Sequence, residues 1–451
     1  MEDDERTRVM SGPAGTYADW IRHLPDGTVK SMNPFTGVEV WTVSGRGNRP
    51  LGTSEREPTA LMPDANAGTC AFCEDRYLES PPEVLRLVAA DSGYAQLDRV
   101  AADQLSATTA EFRRVPNLFQ IMSFEYWNQN YGYDLPAAAL AARDAYLADP
   151  AGLEHVRSIA VTKARAAGRN VGPEDVGTVE LLAASNSFFG SGHDLIIPRR
   201  HFTHDATHST HLASSGTLTP DEHAAYMDLA TTASAEFYDG FPHARYVAVF
   251  QNWLKPAGAS FDHLHKQVVA VDDVGINNAT AMRKLASHPQ AYNDWLLDTA
   301  LRHRLVLAEN AHAIAFAGFG HRYPAIEVFS KDAVNEPWNQ SASARRGLSD
   351  LVHAMHAAIG PEVACNEEWH TRPPGATVAM PWRIILKLRV STLAGFEGGM
   401  RIYLTTVSPE GVRDRLAGRL VELRDAGLIA PVTLGDECPA ERRSLAYVAG
   451  R

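Results

Sequence analysis

The 451-residue chain is 45% hydrophobic and 21% charged, and it carries a formal net charge of −12 at pH 7. This is ordinary globular material with room for two or three cores, and its acidity argues against a dedicated nucleic-acid or anionic-membrane surface. A single nucleotide in a locally basic pocket stays open.

The start, Met1-Glu2-Asp3-Asp4-Glu5-Arg6, is acidic with no apolar core behind it, and no uninterrupted apolar run is long enough to span a bilayer. A cytoplasmic location is therefore expected. Four cysteines occur, and Cys70 and Cys73 form a lone Cys-x-x-Cys. In a reducing compartment such a pair points to metal binding or redox chemistry more than to a structural disulfide.

Residues 1–30 read as a lead-in. A turn at Asn33-Pro34-Phe35-Thr36-Gly37 is followed by an alternating strand, Val38–Val43. Arg46 and Arg49 then lie in a glycine-containing loop, where their forked donors suit phosphate oxygens, although a plain solvated loop reads the same way. Glu111–Asn117 is a short strand ending in a turn. Residues 134–185 are rich in alanine and arginine at helical spacing and read as a helical insertion.

His193–His201 returns to strand. Thr219-Pro220-Asp221-Glu222 opens a helix with a capping box and a proline in the first turn. That helix is expected to run to about Tyr238, with Tyr226, Leu229, Ala230, Ala233 and Phe237 inward. His204, His208 and His211 are spaced for one helix face and read either as a metal site or as part of a polar, solvated loop.

Arg245–Phe250 is the next strand. It leads to Ser260-Phe261-Asp262-His263-Leu264-His265-Lys266-Gln267 and the valine-rich run Val268–Val271. Strand alternation would place His263, His265 and Gln267 on one side, facing one cleft. Two imidazoles and an amide suit nucleophilic chemistry at phosphorus or metal binding.

The second half repeats the plan. Leu305–Asn310 and Ala313–Phe316 form a hairpin, Ala325–Phe329 a strand, Ala342–Ile359 a helix and Trp382–Val390 a strand. Strand, hairpin, helix and strand thus occur twice, but only the first copy carries the His-x-His-x-Gln motif.

Taken in order, these stretches resemble the galactose-1-phosphate uridylyltransferase branch of the histidine-triad superfamily. The resemblance rests on Asn33–Pro50, on Cys70-Ala71-Phe72-Cys73 with Pro81–Val84, and on Val115-Pro116-Asn117. It continues through Ile197–His201, Phe250-Gln251-Asn252, Gly258–Gln267, Ala394–Gly399 and Ile402-Tyr403.

It implies an α+β fold of tandem histidine-triad-like repeats, each an antiparallel sheet with helices packed on it. The first repeat, 31–285, would carry the active site, and the second, 286–451, would be degenerate. It further implies transfer of a nucleoside monophosphate group from a nucleoside diphosphate sugar to a sugar 1-phosphate. His265 would be the nucleophile, and Gln267 would bond the phosphoryl oxygens. Arg46 and Arg49 would offset the diphosphate charge, Asn117 and Asn252 would contact the nucleoside, and Ser260 a phosphate oxygen.

By the same matching, Cys70, Cys73, His201 and His263 would hold a structural zinc, with His193 as a rival for His201. The family's second metal would be absent, because Ile385 and Lys387 stand where its histidines belong. Lys266 stands where a glycine is common in the motif, which leaves the acceptor open. A homodimer is also implied. The alternatives are a nucleotide-anhydride phosphorylase or hydrolase of the same superfamily, and a non-catalytic nucleotide-binding module, against which the intact His265 and Gln267 argue.

Overall fold

The computed structural model describes residues 19–45, 57–391, 394–438 and 444–448. They form two compact units. One comprises Ser54–Val274 with Glu367–Trp369, and the other comprises the chain up to Thr53, Gly275–Asn366 and the chain from His370 onward.

The chain opens in the second of these with an antiparallel meander, β1 (Ile21–His23), β2 (Val29–Met32) and β3 (Glu39–Thr42). The turn before β3 is built by Asn33, whose Oδ1 accepts the backbone N–H groups of Phe35 and Thr36 at 3.0 Å each. Gly37 closes it at φ +69°, a conformation that side chains disfavour.

The site-bearing unit contains β4 (Leu85–Ala89), β5 (Tyr94–Asp98), β6 (Phe112–Pro116), β7 (His193–Pro198), β8 (Tyr246–Trp253) and β9 (Lys266–Val271). These lie in the order β5-β4-β6-β7-β9-β8, every neighbour antiparallel. The helices Phe124–Tyr131, Ala137–Ala148, Pro150–Ala166 and Thr178–Phe189 fall between β6 and β7. A separate cluster that includes Tyr146, Val156, Ile159 and Phe188 holds the last three together.

The helix Pro220–Gly240 packs across β7, β8 and β9 and starts on the capping box read from the sequence. Thr219 Oγ1 accepts the Glu222 N–H at 3.2 Å, and Glu222 Oε2 accepts the Thr219 N–H at 2.8 Å. Tyr226, Leu229, Ala230, Ala233 and Phe237 are all buried on its inner face.

The other unit continues with β10 (Val306–Glu309), β11 (Ala313–Gly318) and β12 (Ala325–Ser330). β13 (Cys365–His370) follows and gives Glu367–Trp369 to the site-bearing unit, and β14 (Arg383–Leu388), β15 (Ile402–Thr405) and β16 (Thr433–Leu434) complete the other unit. Its sheet runs β16-β10-β11-β12-β14, and β15 joins β3 in parallel. The helix Ala342–Ile359 packs on β11 and β12. No helix among the described residues is long and apolar enough to cross a membrane.

Lys266 turns away from the motif it interrupts. In the β8–β9 register Gln251 faces Lys266 and Phe250 faces Gln267, so alternation sends Lys266 and Gln267 to opposite faces of the sheet. The Lys266 ammonium is fully buried 2.6 Å from Glu367 Oε1 of β13, donates to Gln251 Oε1 at 3.1 Å, and sits 4.5 Å from the Tyr226 ring centre. Trp369 Nε1 donates to the same carboxylate oxygen at 2.6 Å. Lys266 thus anchors the backbone between His265 and Gln267 from behind.

Removing one partner of such a pair leaves a charge stranded in the core. Lys266→Met is expected to cost ~3–5 kcal/mol in urea unfolding, and Lys266→Met combined with Glu367→Met to recover most of it. A single variant as stable as the parent would contradict this role.

Candidate active site

The start of β9, the middle of β7 and the end of β6 lie side by side, with Leu195 opposite Gln267 and Pro116 opposite Asp194. Together they line a pocket of ≈ 250 Å³, whose walls include Phe72, Asn117, His193, Ser260, His265 and Gln267. Phe119, Ile121 and Phe261 also reach it and stay exposed, which gives the pocket an apolar rim. Such a mixture of apolar wall and a few converging polar groups is what a small-molecule site requires.

Beside the pocket, Cys70, Cys73, His201 and His263 converge on one point from the Cys-x-x-Cys loop, the segment after β7 and the turn before β9. The Cys70 and Cys73 sulfurs are 3.7 Å apart. His263 Nδ1 is 3.5 Å from Cys70 Sγ and 3.7 Å from Cys73 Sγ, and His201 Nδ1 is 3.6 Å from Cys73 Sγ. A tetrahedral zinc with ordinary bond lengths sets sulfur–sulfur edges of about 3.8 Å and sulfur–nitrogen edges of about 3.6 Å. The four residues therefore fit a structural zinc.

The contact with Cys70, helped by both imidazoles, lowers the Cys73 thiol toward thiolate. His263 Nε2 donates to the Pro198 carbonyl at 2.8 Å, which leaves Nδ1 bare for metal.

His263 does not face the pocket. Alternation had placed it with His265 and Gln267, but β9 begins only at Lys266, and the turn before it does not alternate. The His263 ring is committed to the cysteines, while His265 and Gln267 line the pocket. The His265 ring packs edge-on against Phe72, with centroids 5.4 Å apart, so a residue inside the zinc loop buttresses it. His265 Nδ1 donates to the His263 carbonyl at 2.8 Å, which puts the lone pair on Nε2. Burial pushes the His265 ring down to about 4, so it is neutral at pH 7.

His193 is not part of the metal set. Its Nε2 is 3.0 Å from Gln267 Oε1 and 3.0 Å from Asn117 Nδ2, inside the pocket. Burial also pushes this ring down to about 4.

Asn252 shares the sheet face of Gln267 by register but is not among the residues that line the pocket. Arg46 and Arg49 lie outside the described residues. His204, His208 and His211 form no metal cluster among the described residues. His23, His303 and Glu410 do approach one another in the other unit, but His23 is exposed.

The aromatic and apolar rim and the placement of His193 were not read from the sequence. Their only signal there was proximity to strand ends, which becomes meaningful once β6, β7 and β9 are paired.

About one zinc per chain is expected by elemental analysis after gentle purification. Cys73→Ser should lose the metal and lower the melting temperature before it alters chemistry. Full zinc content in that variant would remove Cys73 from the set.

A 175-residue stretch is 26% identical to the ADP-glucose phosphorylase of Arabidopsis thaliana, covering 37% of this chain and 50% of that protein. The chain thus spans about half the length of the curated relative it matches. The solved structure of an ADP-glucose phosphorylase from Arabidopsis thaliana with bound ADP-glucose superposes with a TM-score of 0.55 at 17% identity. That alignment covers 86% of this chain and 98% of the other. A galt-like protein from Arabidopsis thaliana gives 0.51 at 18% identity, over 80% of this chain and 98% of its own. Residues 24–447 match the model of a domain of unknown function, DUF4921, and the chain belongs to that family.

Proposed function

We propose that this chain is a nucleotidyltransferase that works through a covalent nucleotidyl-histidine, in the galactose-1-phosphate uridylyltransferase-like branch of the histidine-triad superfamily. The observation that carries this reading is the His265 ring. It is neutral, lines the pocket, has its Nδ1 proton tied to the His263 carbonyl and stands beside Gln267. Tandem repeats are supported by strand order: β6, β7, a helix and β9 in one unit are matched by β11, β12, a helix and β14 in the other.

In the first half-reaction His265 Nε2 attacks the α-phosphorus of a nucleoside diphosphate sugar. The P–N bond forms, the bond from the α-phosphorus to the bridging oxygen breaks, and sugar 1-phosphate leaves with the electron pair. The positive charge that develops on the ring is eased by the Nδ1–H bond to the His263 carbonyl. Gln267 donates to the phosphoryl oxygens, Asn117 and Asn252 serve the nucleoside, Ser260 serves a phosphate oxygen, and Arg46 and Arg49 offset the diphosphate charge. A phosphate oxygen of the acceptor then attacks the same phosphorus, the P–N bond breaks, and the free imidazole returns.

A bound zinc would fix the His263 segment and supply no chemistry of its own at phosphorus. The second metal site of the family is not part of this reading, and neither nucleic acid nor membrane is. A homodimer and a cytoplasmic location go with it.

The likeness to ADP-glucose phosphorylase favours an adenosine diphosphate sugar as donor. It also raises a second reading in which inorganic phosphate replaces the sugar 1-phosphate as acceptor. Acceptor choice depends on pocket shape and not on the nucleophile, so both readings share one intermediate.

Turnover of ADP-, UDP- and GDP-glucose should be measured with sugar 1-phosphate, with phosphate, and with neither. Transfer or phosphorolysis is expected, with ping-pong kinetics. Fast release of nucleoside monophosphate without an acceptor would instead identify a hydrolase. His265→Ala should abolish turnover with nucleotide binding retained, and Gln267→Ala should slow it about 100-fold. Near-normal turnover in His265→Ala would overturn the assignment.

A further inference from the structure

Resting on the transfer chemistry above, we propose that His193 is a positioning residue whose ring holds the Gln267 carbonyl oxygen and so turns the Gln267 NH₂ group toward the phosphoryl group on His265. An amide can be turned either way round. Only its NH₂ end can stabilise a phosphoryl oxygen, so something must fix its orientation.

The fixed point is a backbone group that cannot be turned round. The Ile121 N–H donates to His193 Nδ1 at 3.1 Å. Nδ1 is therefore the bare nitrogen and Nε2 carries the proton. That proton points at Gln267 Oε1, 3.0 Å away. With its carbonyl oxygen so engaged, Gln267 keeps both amide hydrogens for the pocket it lines.

Asn117 Nδ2 also lies 3.0 Å from His193 Nε2, and with Nε2 protonated it cannot donate to the ring; Gln267 Oε1 is the acceptor that this proton meets, while Asn117 Oδ1 accepts the Phe119 N–H at 2.9 Å. The opposite tautomer would set Nδ1–H against the Ile121 N–H, two donors facing each other at a buried ring.

The His193 main chain is pinned as firmly as the ring. Its N–H donates to Ser191 Oγ at 2.9 Å, and its carbonyl accepts the Asn117 N–H at 2.8 Å and the Ser191 hydroxyl at 2.7 Å. The ring itself is 1% exposed in its residue, so bulk water does not compete for Nε2–H. Orientation runs from a backbone amide through an imidazole to the catalytic amide, with each step set by the one before.

Three variants test this against a purely structural role. His193→Phe keeps ring bulk without the donor, and His193→Gln puts an amide N–H near the position of Nε2. Rapid-mixing measurement of nucleotidyl-enzyme formation should show His193→Phe slowed about 100-fold, close to Gln267→Ala, with nucleotide Kd unchanged. His193→Phe combined with Gln267→Ala should be no slower than Gln267→Ala alone, because the two act as one unit. His193→Gln should restore most of the rate.

Effects that multiply in the double variant would overturn the proposal, as would a His193→Phe enzyme with the parental rate. Zinc content and melting temperature report whether each variant is folded. The resting protein gives a readout that needs no turnover. In histidine-labelled protein, ¹⁵N shifts assigned through His193→Phe should show Nε2 protonated and Nδ1 bare, and the reverse would overturn the proposal whatever the variants do. If the parent forms no adduct with any donor, the transfer reading fails, while the tautomer still decides the orientation.

Discussion

His263 makes two commitments at once, and the site depends on both. Its ring is held among Cys70, Cys73 and His201, and its carbonyl accepts the Nδ1–H of His265. The first fixes where the turn before β9 sits, and the second fixes which nitrogen of His265 carries the lone pair. The proposed nucleophile, two residues from a proposed metal ligand, therefore inherits its position and its tautomer from that residue. Phe72 extends the coupling, since it stands between the two cysteines in sequence and against the His265 ring in space. Loss of the cysteine–histidine cluster would be felt at the His265 ring without any change in His265 itself.

The other side of the sheet holds the same segment by different physics. Lys266 has no pocket role, yet its buried pair with Glu367 locks the backbone that separates His265 from Gln267. A charged residue inside the motif looked like a change in the acceptor site, and strand alternation shows it to be an anchor facing the other way. Two opposed attachments, the cysteine–histidine cluster in front and the ion pair behind, leave little freedom to the start of the strand that carries Gln267. Such preorganisation is what a site needs when catalysis is mostly positioning and charge placement.

Much of this was legible in the sequence where one residue type answers to one physical rule. The Thr219–Glu222 capping box, the inner face Tyr226–Phe237 and the helix Ala342–Ile359 all came from such local signals, whereas the set Cys70, Cys73, His201 and His263 came from the family resemblance. What stayed hidden depended on pairing. β13 (Cys365–His370) alternates in burial, but its buried positions include Glu367, a residue that marks a strand core only when Lys266 is known to face it. The β4–β5 hairpin turns at Ser92-Gly93 within a short polar stretch that gives little alternation. His263 was assigned to the cleft because the strand was begun too early. His193 offered a bare histidine near a strand start, and its partner Gln267 lies 74 residues further on, in contact only through β7–β9 pairing.

The central claim is that His265 becomes covalently attached to a nucleoside monophosphate, and intact-mass analysis tests it most directly. The protein would be mixed with ADP-glucose, quenched under alkaline conditions that spare phosphoramidates, weighed, and digested to locate the modification. The account predicts a single added adenylyl group on the peptide that contains His265, lost on addition of acceptor and absent from His265→Ala. An unmodified parent protein that nevertheless turns over its donor, or an adduct on another histidine, would contradict it.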